Sequence, residues 1–559
     1  MDVNIRIAGE AGQGLVTAGD VLSDVFAQMG LYVFTTRNYE SQIRGGLNWY
    51  DIRAGDSELF SRRRTADILV AFTEKAAGEL GEDISADGVM ISEYGDHPAL
   101  INIPLSDEAR DTAGKAVMAN AVALGAIFGL LGYDPEQLCE HVRDHFEKSG
   151  EEVVGDNLRC IRRGVELSSD EDADLPAPEC AGAPNSLVDG GSALGYGAAT
   201  AGVKVVSGYP MTPGTAVLTY LVGVADEYGI VVEQAEDELS AINMICGATY
   251  AGVPALTATS GGGFALMCEG LSLAGMMELP AFIVLAQRPG PATGLPTRTA
   301  QEDLKFVINA GHGEFPRAVY TPGTQEESFE VIRHGLEMAH KYQTPGILLT
   351  DQFLIDNRRN VEDFDVPDST IDRHIEDNPG EDYARYVVTE HGVSPRAVPG
   401  GAAFVVCDSD EHNEAGHITE DFAVRTAQYE KRLKKLDGLR SDMLEPNTYG
   451  PEDSESVLVC WGSTFMPCRE AVDLLTNDGE SVRMVHFPQV WPFNVSVAAE
   501  ALGRKDGAEG PEIICVEQNA TAQFASLLSE QGVVQECETM LRYDGRPFSS
   551  EEIKERFQQ

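Results

Sequence analysis

Apolar positions recur along this chain in two rhythms, short runs with every-other-residue alternation and longer segments with a helical period. Residues 3–8 alternate as a strand and lead into an amphipathic helix ending near 29, with further strands at 32–35, 47–53, 68–72 and 89–93 and helices at 118–131 and 135–148. A second series opens with a small-residue helix over 190–202, continues with strands at 203–207, 230–234, 255–258, 281–286 and 347–350, and places helices at 216–224 and 237–251. A third has strands at 457–461, 482–486 and 513–517 separated by helices. Strands alternating with helices predict parallel sheets covered on both faces. The expected fold class is α/β, with three doubly wound domains at 1–165, 186–357 and 451–559. An acidic, Pro-bearing linker, 166–185, lacks an apolar face, and a less regular region, 358–450, carries a charged helix at 421–442.

The strand ends of the second series hold the most distinctive chemistry. The turn Tyr209-Pro-Met-Thr-Pro-Gly-Thr215 carries two prolines that continue neither the strand before it nor the helix after it. It is a stiff turn at the carboxyl end of a strand, where open α/β sheets bind ligands. The strand at 255–258 ends in Thr259-Ser-Gly-Gly-Gly-Phe264, and the strand at 281–286 in Gln287-Arg-Pro-Gly-Pro-Ala-Thr-Gly-Leu-Pro-Thr-Arg298. Thr212, Ser260, Arg288 and Thr297 therefore belong to Gly/Pro loops on one sheet edge, and Glu238 to the first turn of a helix, where the dipole favours a carboxylate. Each residue alone also has a plain structural explanation: turn capping for the threonines, a surface ion pair for Arg288, a helix-terminal acid for Glu238.

Near the N-terminus, Gly9-Glu-Ala-Gly-Gln-Gly14 opens a helix and is compatible with phosphate binding or with tight strand–helix packing. It has neither the dinucleotide spacing nor the Lys-Ser/Thr of a P-loop. A second polar candidate is Tyr39-Glu-Ser-Gln-Ile-Arg-Gly-Gly46. His412 and His417 lie among carboxylates, but oxygen-rich loops in so acidic a chain are ordinarily solvated, and no metal is expected there.

Composition narrows the partners. Ninety acidic residues against 41 basic ones give a net charge of −49, which repels nucleic acid and anionic membranes. At about 1 M salt the Debye length is about 3 Å, so such a charge fits a halophile's cytoplasm. The longest apolar stretch, 118–133, falls short of a membrane span, and the first residues enter a strand without a basic, apolar leader, so a cytoplasmic protein is expected. The ten cysteines are scattered without a C-x-x-C, which is neither a disulfide framework nor iron–sulfur or zinc spacing.

With these residues in view, nearly the whole chain resembles the alpha subunit of 2-oxoacid:ferredoxin oxidoreductases, with a gamma-type domain fused at its N-terminus. The resemblance is carried by 9–14 and 39–46, by the turn 209–215, by Glu236-Asp-Glu238, by 259–263, by the nearly unbroken run from Gln287 to Asp303, and by Glu517-Gln-Asn519 and Asp544-Gly-Arg-Pro547. It implies a gamma-type domain, a thiamine diphosphate pyrimidine-binding domain and a transketolase C-terminal-like domain. It further implies CoA-dependent oxidative decarboxylation of a 2-oxo acid, 2-oxoglutarate first and pyruvate next, with ferredoxin as electron acceptor. Glu238 would hydrogen-bond the aminopyrimidine ring, Arg288 would pair with the substrate carboxylate, and Thr212 and Thr297 would hydrogen-bond the 2-oxo acid. Tyr209, Pro210, Thr212 and Ser260 would line the cofactor. The chain contains no Gly-Asp-Gly, since Gly155-Asp156 is followed by Asn157. The diphosphate, Mg2+ and [4Fe-4S] sites are therefore expected on a separate beta subunit, in an α2β2 assembly. Met211 and Gly214 stand where the family usually has Ile and Ser, a departure that bears on substrate preference and leaves the family resemblance intact. Two alternatives stand beside this reading: an assembly or regulatory subunit with a decayed site, for which Gly214 is the only hint, and another transketolase-type thiamine enzyme, suggested by the last domain but disfavoured by the missing Gly-Asp-Gly.

Overall fold

The computed structural model describes residues 1–41, 45–171, 173–504 and 510–559. Gln42, Ile43 and Arg44 of the 39–46 candidate lie outside the described residues. The chain forms two compact units, one of Met1–Val188, Asp356–Asp363 and Ser549–Glu552, the other of the remainder.

The first unit is built on an eight-stranded sheet with Asp2–Ala11 at its centre. On one side of that strand the sheet is parallel, through Ala66–Ala71, Ile84–Ser92 and Leu100–Asn102. On the other side Gly45–Gly55 and Tyr32–Asn38 run antiparallel, so this sheet is mixed rather than wholly parallel. The run expected as a core helix is Ala119–Leu131, apolar all round and buried for ten of its residues. It crosses Glu151–Ser168 backbone to backbone at Gly125 and Gly164. That second helix keeps its buried face as far as Ser168, three residues beyond the expected domain end at 165. No single helix among the described residues is long and apolar enough to cross a membrane.

The second unit holds two sheets. Seven strands run in the order Gln489–Trp491, Ala318–Tyr320, Gly346–Asp351, Phe282–Gln287, Ala255–Thr259, Val205–Gly208, Val231–Gln234, and all but the first are parallel. The strands Ala255–Thr259, Phe282–Gln287 and Gly346–Asp351 are buried throughout, as a parallel sheet covered on both faces requires. Five strands form the other sheet, ordered Asn447–Tyr449, Val482–Phe487, Ser456–Trp461, Glu512–Glu517, Glu538–Leu541. One apolar core joins the two, running from Ile242 and Phe264 to Trp461, Phe487 and Phe524.

The charged helix of the connecting region is Phe422–Ser441, and its charges are not all solvated: Lys431, Arg432 and Lys435 are at most 3% exposed. Lys431 and Lys435 reach Glu278, itself 1% exposed, at 2.7 and 2.5 Å. Arg385 donates to the Glu278 carbonyl (2.9 Å) and to Gln343 Oε1 (2.8 Å), and Lys435 to the Gln343 carbonyl (2.9 Å). This buried ionic hub fastens the irregular 380–397 stretch and its helix to the sheet domain.

Candidate active site

Four neighbouring parallel strands, Val231–Gln234, Val205–Gly208, Ala255–Thr259 and Phe282–Gln287, end on the same edge of the seven-stranded sheet. Their continuations carry Glu238, the 209–215 turn, Ser260 and Arg288, so topology alone brings these loops side by side.

Asp237 caps the helix Glu238–Tyr250 by accepting from the Ser240 N–H at 2.7 Å, which sets Glu238 in its first turn. Glu238 is 2% exposed, and among the described residues its carboxylate accepts one hydrogen bond, from Thr259 Oγ1 to Oε1 at 3.2 Å. No cation touches it among these residues. Gly263 makes that burial possible, because a Cβ there would stand 2.3 Å from Glu238 Oε1 and 2.1 Å from Thr259 Oγ1.

The 209–215 turn is seated on the same strand end. A Cβ on Gly214 would lie 2.8 Å from the Thr259 carbonyl oxygen. The departure from serine at this position thus has a packing reason in this protein. Within the turn Pro213 is buried, Thr212 half-buried, and Tyr209 and Pro210 are open to solvent. Arg288 Nη1 donates to the Thr212 carbonyl at 2.7 Å, tying the third loop to the first. Burial draws the Arg288 guanidinium below its ordinary value. Ser260 precedes the helix Gly261–Met277, yet its hydroxyl does not cap it and is fully buried without a partner among the described residues.

The 287–303 loop is braced against the five-stranded sheet. Gln301 donates to the Trp461 carbonyl at 2.6 Å and exchanges two backbone-linked bonds with Gln518 at 2.7 and 2.9 Å. Thr299 N–H meets the Gly545 carbonyl at 3.1 Å, close to the half-buried Thr297. Glu517 accepts from the N–H groups of Phe524 and Ala525 at 2.9 and 3.0 Å and so caps the helix Gln523–Glu530. The Glu517-Gln-Asn519 segment is therefore a structural joint.

Two residues of this region were not singled out by sequence. Thr259 supplies the one bond to Glu238, and its signal was its place before a Gly triplet at a strand end. Asp303 ends the long matched run; burial, with Glu302 adding, pushes its carboxyl up to about 6, and its Oδ2 lies beside Gly261 without a partner among the described residues. His412 stacks 3.9 Å from the Tyr386 ring with Nδ1 2.9 Å from the Asp410 carbonyl, while His417 is exposed. All ten cysteines are free thiols.

Both the sequence and the fold match known proteins. Residues 196–431 match the family model of the pyruvate flavodoxin/ferredoxin oxidoreductase thiamine diphosphate-binding domain, and residues 4–167 that of pyruvate ferredoxin/flavodoxin oxidoreductase. The chain is 31% identical to a 2-oxoacid:ferredoxin oxidoreductase subunit alpha of a Sulfolobus species, over 98% of this chain and 95% of that one. It is 28% identical to the 2-oxoglutarate oxidoreductase subunit KorA of Mycobacterium tuberculosis, over 99% and 90%. Among solved structures, the 2-oxoglutarate:ferredoxin oxidoreductase of Magnetococcus marinus, with 2-oxoglutarate, coenzyme A and succinyl-CoA bound, superposes with a TM-score of 0.91 at 31% identity, covering 100% of this chain and 99% of that one.

Proposed function

This chain belongs to the family of 2-oxoacid:ferredoxin oxidoreductase alpha subunits, and we propose that it forms one half of a thiamine diphosphate site that oxidatively decarboxylates a 2-oxo acid. The acyl group goes to coenzyme A and the electrons to ferredoxin. 2-Oxoglutarate is the first substrate and pyruvate the next; the ligands of the Magnetococcus marinus relative support that order.

The observation that carries the reading is a carboxylate, Glu238, 2% exposed and held by one neutral donor, at the meeting point of loops from adjacent parallel strands. The residues fit the cofactor: a buried acid without a countercharge, an orphaned Ser260 hydroxyl, and an open apolar wall at Tyr209 and Pro210. Bound there, thiamine diphosphate supplies a nucleophilic ring carbon and an electron sink. Glu238 holds a hydrogen bond to the aminopyrimidine ring and so promotes proton loss. Arg288 binds the substrate carboxylate through the planar two-point contact that guanidinium makes better than ammonium. Thr212 and Thr297 hydrogen-bond the 2-oxo acid, and the dipoles and charges of the site gain strength once the partner subunit covers it and excludes water.

A second subunit completes the site, bringing the diphosphate, Mg2+ and iron–sulfur centres for which this sequence has no motif; α2β2 is the assembly proposed. The net charge of −49 supports a salt-rich working medium. Gly214, the one hint of a decayed regulatory subunit, is accounted for by its contact with Thr259.

The test is CoA-dependent viologen reduction by the chain purified with its partner subunit, with 2-oxoglutarate and pyruvate compared. Turnover with the partner and none without it is expected. Thiamine-dependent turnover by the isolated chain would overturn the shared site.

A further inference from the structure

Glu238 has two carboxylate oxygens, and nothing in its own helix distinguishes them, because the terminal torsion of a glutamate is broad and two-fold. The fold distinguishes them. Oε1 accepts a hydrogen bond from the Thr259 hydroxyl at 3.2 Å and is walled by Gly263, where a Cβ would stand 2.3 Å away. We propose that Thr259 is the positioning residue of the site: by holding Oε1 it assigns Oε2 to the cofactor and locks the acid to the substrate-binding turn. The inference rests on the reading of Glu238 given above.

The lock follows from three contacts made by one fully buried residue. Its hydroxyl bonds Glu238, its backbone seats Gly214, and its Oγ1 lies 4.0 Å from Met211 Sδ. The same turn offers the Thr212 carbonyl that receives Arg288. Acid and guanidinium, on different loops, are thus registered through a single strand end. Valine in place of Thr259 keeps the shape and removes the hydroxyl, leaving Oε1 unpaired and the carboxylate plane free to turn away from the orientation that presents Oε2.

The experiment uses the assembled enzyme with its partner subunit and compares Thr259→Val with Thr259→Ser. Three quantities are read: the Kd of thiamine diphosphate by calorimetry, the rate of deuterium exchange at the cofactor's acidic ring carbon, and kcat against KM for the 2-oxo acid. For Thr259→Val the Kd rises about tenfold and exchange and kcat fall about tenfold or more, while KM stays within about twofold; Thr259→Ser restores all to within about threefold. Should the valine chain not fold, Thr259→Ala reads the same losses. Wild-type Kd and exchange in Thr259→Val, or no recovery with serine, overturns the proposal. Glu238→Gln separates the two levels: if it keeps full turnover, the role given to Glu238 fails, whereas an inactive Glu238→Gln beside an unaffected Thr259→Val removes this inference alone.

Discussion

Two glutamates of the second unit are buried almost equally, Glu238 at 2% and Glu278 at 1% exposure, and their surroundings are opposite. Glu238 begins a helix and accepts one bond from a neutral hydroxyl. Glu278 follows a helix in the left-handed region, φ 54°, between the ammonium groups of Lys431 and Lys435. Burial works to raise the Glu278 carboxyl, but Lys435, Lys431 and Arg385 overcome it and hold the group well below the usual carboxylate range. A carboxylate with an ammonium group on each oxygen is neutralised by its own chain and serves as a fastener. Glu238 accepts at Oε1 alone among the described residues. Burial does not separate the two acids; the presence of a countercharge does.

The largest expected effect tests the first half of that contrast. Glu238→Gln lowers kcat by about 10²–10⁴-fold, the usual worth of a positioned proton-transfer group, with the thermal unfolding midpoint little changed. Glu278→Ala does the reverse: two ammonium groups are left buried without a countercharge, and unfolding in denaturant shows a loss of about 3–5 kcal/mol. Turnover per folded molecule is retained, and a collapse of kcat in a stable Glu278→Ala protein would merge the two classes.

Arg288→Lys comes next. It keeps the charge but loses the fork that reaches the Thr212 carbonyl, so kcat/KM for the 2-oxo acid falls about ten- to a hundredfold with cofactor affinity unchanged. At neutral pH the smallest effect belongs to the hub's neighbour His340, and it grows as pH falls: its imidazole is pushed down to about 3 by burial, with Arg396 adding. Its folded value lies below the unfolded one of 6.5. The unfolded chain therefore takes up the proton first, and stability falls as pH drops from 6.5 toward 3, by at most about 1.4 kcal/mol per pH unit. His340→Phe flattens that slope in unfolding measured at pH 7, 5 and 4.

Much of the site was legible because loop chemistry is local. Two prolines three residues apart, a Gly triplet after the strand at 255–258 and the long Arg288 loop each announce a turn at a strand end, and each turn lies on the expected strand. The first sheet was less legible, since no local pattern tells an antiparallel partner, Gly45–Gly55, from a parallel one. The charged helix misleads in the same way. Lys431 and Lys435 look like solvated residues until a distant Glu278 is placed between them.

By itself the sequence determined the periods of the elements, the loops that end the strands and the residue types those loops present, because propensity and turn geometry act over a few neighbours. Tertiary structure decided which loops meet: strand order sets Glu238, Thr212 and Arg288 on one edge, close packing requires Gly214 and Gly263, and the Thr259 hydroxyl reaches Oε1 of Glu238. Those relations join residues far apart in the chain, and only the folded backbone brings them within hydrogen-bond reach.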